Sequence, residues 1–179
     1  MARYAAFLRA VNLGSTRKAG SAQLRSLFEG LGLDDVATFR TSGNVVFDAD
    51  RQPEAKLTEG IEEGLAEELG FEVVIFLRSA KEVHAIAGAE PFPTAAVEAS
   101  KGKLQVMLLG AKPSKKVQNE VLALATDEDR LAFGARELYW LPSGGTQRAA
   151  IDLKAIARLI GPSTTRTMGT VELMAAKFF

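Results

Sequence analysis

The sequence predicts an α+β protein made of two ferredoxin-like units and a small C-terminal helical portion. Short apolar runs typical of strands alternate with segments whose apolar residues recur at helical spacing. Residues 4–77 have the order β-α-β-β-α-β, which is typical of a sandwich with helices on one face of an antiparallel sheet. Residues 104–160 repeat this order without its sixth strand, which indicates an internal duplication.

The first unit, residues 1–78, is predicted from apolar periodicity and from the residues that end each element. Ser21 is placed to cap the first helix, and Gly32 and Gly70 are placed to end the two helices. The apolar residues of both helices fall on one face, as in helices that pack on a sheet. The predicted elements are a strand over 4–11, a helix from Ser21 to Leu31, strands over 36–40 and 45–48, a helix over 53–69 and a strand over 71–77.

The second unit, residues 79–148, has a βαββ core at 104–141. The residues Ser79 to Glu82 have the form of a capping box, and Pro113 suits the first position of a helix. Because a sixth strand is missing, a strand such as Phe71–Leu77 can serve both sheets. The predicted elements are a helix over 79–87, a loop over 91–100, a strand over 104–109, a helix after Pro113, and strands over 131–133 and 138–141. The C-terminal portion, residues 149–179, is predicted to hold helices over 151–160 and 171–176.

The composition is that of an ordinary globular protein and limits the available chemistry. Of 179 residues, 47% are hydrophobic and 25% are charged. The chain has no cysteine, which excludes thiolate chemistry and fits a cytoplasmic location. His84 is the single histidine, so we expect neither a metal site nor a cofactor. No apolar run is long enough to cross a membrane, and the N-terminus lacks the pattern of a signal peptide.

Charge is balanced overall but is arranged in blocks. The net charge is zero, which disfavours strong non-specific binding to nucleic acid. The first 28 residues contain five cations and no anion, whereas residues 48–72 contain nine acids. Residues 101–116 contain five lysines and no acid. Such blocks either form opposed surface potentials or are solvated faces of separate elements.

The segment RTSGNVVF, residues 40–47, has two interpretations. Ser42, Gly43 and Asn44 suit a hairpin turn because glycine and asparagine tolerate positive φ. The same hydroxyl, amide and backbone N–H groups can also form an anion-binding concavity, which Arg40 would complete. The turn explains Gly43 and Asn44, but it does not explain Arg40.

A second candidate segment is FLRAVNLGSTRK, residues 7–18. Arg9 alternates with apolar residues along the predicted first strand, so it either pairs with an acid such as Glu72 or Asp48 or lies under a bound phosphate or carboxylate. The following loop adds Asn12, Arg17 and Lys18. Its composition resembles a phosphate-binding loop, but it lacks the glycine spacing of a nucleotide P-loop.

Arg166 ends the segment STTR, whose hydroxyls and guanidinium either bind an anion or cap the last helix. The remaining chemical candidates have structural interpretations. His84 has no second histidine or cysteine near it, and the acids of the second helix are predicted to face solvent. Tyr139 and Trp140 suit either base stacking or a core.

Several motifs together resemble one known family. They are FLRAVNLG, LRSLFEGLGLDDVATFRTSGNVVF, EPFP, RELYWLP and STTR, which span nearly the whole chain. On these motifs the chain resembles the bacterial domain of unknown function family numbered 1697. The resemblance implies two ferredoxin-like units with a helical C-terminal portion and leaves the activity open. The chain departs from that pattern at Ala149-Ala150, where Ser-Lys is common, and at Thr167–Gly169, where Asn-Trp-Asn is common.

Three functions compete on the sequence alone. The first is a module that binds a small anionic ligand, either a nucleotide or a phosphorylated metabolite. The second is a protein or nucleic-acid interaction module, although no glycine-aromatic signature of an RNA-recognition motif is present. The third is an enzyme, for which no nucleophile–base pair identifies catalytic residues. The predicted ligand-binding residues are Arg9, Asn12, Arg17, Lys18, Arg40, Ser42, Gly43, Asn44 and Arg166. No membrane partner is expected, and the oligomeric state does not follow from the sequence.

Overall fold

The computed structural model describes residues 1–9, 11, 16–142, 144 and 150–179. Eight strands and seven helices lie in these residues. The strands are β1 (Ala2–Arg9), β2 (Asp34–Thr38), β3 (Asn44–Ala49), β4 (Val74–Ser79), β5 (Gln105–Leu109), β6 (Arg130–Phe133), β7 (Glu137–Leu141) and β8 (Ser163–Thr167). The helices are α1 (Ser21–Gly30), α2 (Glu54–Leu69), α3 (Ala80–Ala87), α4 (Thr94–Ala99), α5 (Lys115–Leu122), α6 (Leu153–Ile160) and α7 (Met168–Phe178).

The strands form two separate sheets of four strands each. The strand orders are β2-β3-β1-β4 and β6-β7-β5-β8. Every neighbouring pair is antiparallel. The predicted α+β class is therefore confirmed.

The chain divides into two compact units. Unit 1 comprises Met1–His84 together with the C-terminal segment Met174–Phe179. Unit 2 comprises Ala85–Leu173. Two helices, α3 and α7, contain residues of both units, so the chain passes from one unit to the other within a helix.

The prediction that the second unit lacks the last strand of the order β-α-β-β-α-β is wrong. Residues Ser163–Thr167 form β8, which pairs with β5, whereas β4 pairs with β1 and with no other strand of the described residues. Strand β8 reads Ser-Thr-Thr-Arg-Thr, so it has no apolar alternation to reveal it. Its threonines nonetheless favour a strand because they are β-branched. The C-terminal portion expected to be helical over 149–179 thus contains a strand.

Three local predictions are also wrong. The expected loop over 91–100 contains α4, whose N-cap is Pro93, because a proline before a helix starts it as readily as it ends the preceding one. The N-cap of α1 is Gly20, and Ser21 is the first helical residue. Strand β4 begins at Val74, three residues after the predicted start at Phe71.

Each unit has a core between its sheet and its helices. In unit 1, alternate residues of β1 and β3 share a core with the buried faces of α1 and α2. Leu8 and Val45 belong to this core from the strands, and Phe28 and Leu65 belong to it from the helices. In unit 2, Trp140, Leu138 and Ile156 belong to the corresponding core. No helix within the described residues is long and apolar enough to span a bilayer.

Candidate functional site

The turn between β2 and β3 is closed by the side chain of Asn44. Its amide donates to the carbonyl of Phe39 at 2.9 Å and to Ser42 Oγ at 2.9 Å. The N–H of Phe39 donates in turn to the carbonyl of Asn44 at 3.0 Å. Asn44 is only 1% exposed. Asn44 therefore positions the turn, and its amide hydrogens are directed at the protein.

Gly43 attaches this turn to the end of β1. Its φ is +76°, and its carbonyl accepts a hydrogen bond from the N–H of Leu8 at 2.8 Å. A Cβ at this position would lie 3.1 Å from the Cβ of Leu8. Both the backbone angle and the close approach require glycine. The geometry of the turn therefore explains the glycine at position 43 without a ligand.

Arg40 has a backbone conformation that L-residues rarely adopt. Its φ is +57°, and the only other non-glycine residue with positive φ among those described is Asp35. The side chain of Arg40 is exposed, with its guanidinium carbon 5.4 Å from the centre of the Phe39 ring. Strained backbone of this kind often occurs at functional sites.

Arg40 lies at a small cleft that also contains the N-terminus of α1. We name it the turn cleft; its volume is about 220 Å³, and its lining residues are Ala19, Gly20, Ser21, Leu24, Thr38, Arg40, Thr41, Gly43 and Asn44. The first N–H groups of any α-helix have no partner within the helix. Gly20 has no side chain to cap them, whereas Ser114 caps α5 and Asp152 caps α6. The turn cleft thus combines uncapped helix donors with a guanidinium and the hydroxyl of Thr41.

Arg9 and Arg17 lie in a different cleft, named here the arginine cleft. Its volume is about 500 Å³, and Phe71 and Glu72 also line it. The guanidinium carbon of Arg17 is 6.0 Å from the centre of the Phe71 ring. Arg9 is exposed and forms no ion pair with Glu72 or another described acid. The alternative acid for Arg9, Asp48, instead pairs with Arg3 at 3.1 Å.

The predicted residues are thus distributed over several places. Arg40, Gly43 and Asn44 line the turn cleft, with Ser42 bonded to Asn44 beside it. Lys18 is exposed and directly precedes Ala19 of the same cleft. Asn12 lies outside the described residues.

Arg166 belongs to unit 2, where it lies on β8. It is 7% exposed and donates to Thr164 Oγ1 at 2.8 Å and to the carbonyl of Thr165 at 2.9 Å. Burial lowers the pKa of Arg166 to about 10, because desolvation disfavours its charged form. Arg166 therefore remains a cation at neutral pH.

Sequence patterns do not predict that the start of α1 lines the turn cleft. The predicted cap, Ser21, would satisfy one of the helix donors with its hydroxyl. The available signal was Gly20, since glycine before a helix leaves the first turn without a capping side chain.

The other chemical candidates are placed as follows. Tyr139 and Trp140 are 4% and 2% exposed, so neither ring is available to stack on a base. His84 is exposed, and its ring is 6.3 Å from that of Phe179. Among the residues that the structure describes, no three histidines, cysteines or acids converge as metal ligands.

Comparisons with known proteins support the fold and identify the family. The conserved bacterial protein SP0830 from Streptococcus pneumoniae has 21% sequence identity and a TM-score of 0.73, over 98% of this chain and 97% of that chain. At this identity the likeness concerns the fold alone. No curated protein matches the chain. A family model described as a protein of unknown function, DUF1697, matches residues 1–139, which include the whole turn cleft. This match confirms the resemblance predicted from the motifs, and the chain belongs to the DUF1697 family.

Proposed function

We propose that the chain binds a small anionic ligand, either a nucleotide or a phosphorylated metabolite, through its negatively charged group at the turn cleft. The observation that carries this proposal is that the uncapped N-terminus of α1 and the guanidinium-bearing Arg40 line the same cleft. Helix N-termini favour anions because their free N–H groups and the helix dipole act together. A guanidinium adds charge-assisted hydrogen bonds to such a group.

The size of the cleft limits what it encloses. Sites that enclose a drug-sized ligand usually have volumes of roughly 300–1,000 Å³. The turn cleft, at about 220 Å³, suits a phosphate and its nearest atoms. The remainder of the ligand would extend into solvent, where the exposed Lys18, which directly precedes Ala19 of the cleft, supplies further positive charge.

Arg40→Gly separates ligand binding from folding. Glycine adopts positive φ without strain, so this variant removes the guanidinium and should keep or slightly raise stability. The probes are inorganic phosphate, pyrophosphate, AMP and glucose 6-phosphate. Their binding is measured by thermal shift and by 31P line broadening. Stabilisation of the wild type by at least one of them, lost in Arg40→Gly, supports the proposal.

A charge control completes this experiment. Arg25→Ala removes one exposed cation of α1, which pairs with Glu29 at 2.8 Å, and leaves the turn cleft unchanged. We expect Arg25→Ala to bind the probe as the wild type does. Gly20→Asp should stabilise α1 by capping it and should abolish binding, because its carboxylate occupies the anion position. Equal binding by wild type and Gly20→Asp would show that the turn cleft is not the site.

We also infer that each unit is ferredoxin-like and that the chain arose by internal duplication. Both units have the order β-α-β-β-α-β, apart from α3 and α4 between them. Both sheets have corresponding strand orders, with the first strand of each unit between its third and fourth strands. In both units the last strand also leads directly into a helix: β4 is followed at once by α3, and β8 by α7.

A further inference from the structure

Among the described residues, β8 is an edge strand of its sheet, and its outward backbone groups can be identified. The N–H of Met168 donates to the carbonyl of Leu104 at 2.8 Å. In an antiparallel pair, hydrogen-bonded and non-hydrogen-bonded positions alternate. The pairs of Arg166 with Val106 and of Thr164 with Leu108 are therefore the hydrogen-bonded ones. The N–H and carbonyl groups of Ser163, Thr165 and Thr167 accordingly point away from β5.

The corresponding edge of unit 1 is closed by two carboxylates. The outward N–H of Ile75 on β4 donates to Glu62 of α2 at 2.8 Å. The outward N–H of Ser79 donates to Glu82 of α3 at 2.9 Å. Paired or covered edges of this kind prevent a sheet from adding further strands.

Within the part of unit 2 that the structure describes, no residue closes its edge in the same way. Glu62 directly follows the buried Ile61 on α2, and the residue that directly follows the buried Ile156 on α6 is Ala157. Helix α6 has 8 residues, whereas α2 has 16. Among the described residues, no side chain caps the outward N–H of Thr165, and the carbonyl of Thr165 accepts only from Arg166.

A cleft of about 410 Å³, named here the edge cleft, lies between β8 and α6. Its lining is mainly apolar and includes Met107, Trp140, Leu153, Ile156 and Ile160, with Ser163 and Thr165 from β8. Ile156 and Trp140 are buried, and Leu153 is 37% exposed. An extended chain that pairs with β8 would place alternate side chains on this side of the sheet.

Positive charge flanks the edge cleft. Lys154 and Arg158 are exposed, and each follows a residue of α6 that lines the cleft. They are four positions apart, so they lie on the same side of the helix. An acidic segment would therefore be attracted to this flank.

We propose that the edge of β8 binds an extended peptide, with apolar side chains at alternate positions and acidic residues at its ends. Backbone hydrogen bonds to Ser163 and Thr165 give affinity, and the edge cleft selects the side chains, as in other cases of strand addition. This site is separate from the turn cleft and does not depend on the function proposed there.

The probe is a blocked nonapeptide with valine, phenylalanine and valine at alternate central positions, threonine between them and two glutamates at each end. The readout is the emission of Trp140, which is the only tryptophan in the chain and lines the edge cleft. We expect a saturable change on titration of the full-length protein. The same peptide, N-methylated at the backbone nitrogens that face β8, should bind at least about tenfold more weakly, because those nitrogens can no longer donate hydrogen bonds to the strand.

Matched variants locate the binding. Thr165→Pro removes an outward N–H, which an edge strand tolerates, and should reduce affinity at least about tenfold. Thr165→Val keeps that N–H and should bind as the wild type does. Ala157→Glu supplies the carboxylate that Glu62 supplies in unit 1 and should block binding. If Thr165→Pro does not fold, Ala157→Glu still decides the question.

Three results would overturn the proposal. The first is no saturable change with the peptide, and the second is equal affinity for the N-methylated peptide, which would indicate an apolar side-chain pocket alone. The third is a dimer in light scattering that Ala157→Glu dissociates, since the occupant of the edge would then be a second copy of the chain.

Discussion

Gly43 determines how the turn between β2 and β3 contacts the end of β1. Its positive φ closes the turn, and its missing side chain allows close contact with Leu8. Asn44 holds the same turn from within through its amide. These two residues explain the asparagine and the glycine of the turn between β2 and β3 without a ligand.

Two glycine substitutions in unit 1 should have opposite effects on stability. Gly43→Ala should lower the free energy of unfolding by about 1–3 kcal/mol, because alanine at φ +76° is strained and its Cβ crowds Leu8. Gly60→Ala should raise it by about 0.5–1 kcal/mol, because Gly60 lies within α2 and a new Cβ would have no atom within 4 Å apart from its chain neighbours and the nearby backbone of its own helix. Urea unfolding followed by circular dichroism measures both. If Gly43→Ala left the free energy of unfolding unchanged, the turn would have to adjust to the new side chain at no cost, contrary to this prediction.

At the scale of the element, the start of α3 is formed as its sequence predicts. The capping box is confirmed: Glu82 accepts from the N–H and from the Oγ of Ser79 at 2.9 Å each, and the N–H of Glu82 donates to Ser79 Oγ at 3.4 Å. The carboxylate of Glu82 also covers the last outward N–H of β4. One pair of side chains thus ends a strand and begins a helix.

A double-mutant cycle should show that these two side chains act together. Ser79→Ala and Glu82→Ala should each cost about 0.5–2 kcal/mol of stability. The double variant should cost less than the sum of the two, because either single change already breaks the shared hydrogen bonds. Denaturant unfolding of the four proteins gives the coupling energy. Strict additivity would exclude a reciprocal cap.

Apolar periodicity predicted most elements but missed two. It identified α2, β5 and β7 because each buries a regular set of apolar residues. It missed β8, whose buried residues are the polar Thr164 and Arg166, and α4, which has no fully buried residue. In both cases the element forms without the hydrophobic pattern that sequence interpretation relies on.

At the scale of the whole molecule, the C-terminal segment 174–179 joins the N-terminal part of the chain in unit 1. Arg3 Nε donates to the carbonyl of Phe178 at 2.8 Å. The ring of Phe178 meets that of Phe39 edge-on at 5.8 Å. The guanidinium carbon of Arg3 is 6.0 Å from the centre of the Phe179 ring. Unit 1 is therefore completed by residues from both ends of the sequence.

Deleting residues 174–179 should weaken unit 1. We expect a lower melting temperature and faster amide exchange in β1 to β4, because the contacts of Arg3 and Phe39 with this segment are lost. Phe178→Ala should reproduce part of the loss, whereas Lys177→Ala removes only a cation near two rings and should change stability by about 1 kcal/mol at most. Unchanged exchange in β1 to β4 after the deletion would show that unit 1 is complete without the segment.

The sequence by itself determined the α+β class, the family and most helices and strands, because apolar periodicity and glycine or capping residues act locally. Only the tertiary structure decided that Arg9 and Arg17 line a different cleft from Arg40, that β8 completes the second sheet, and that the N-terminus of α1 opens beside the turn. These are contacts between residues distant in sequence. They depend on how helices and strands pack, and no spacing within a single segment encodes that.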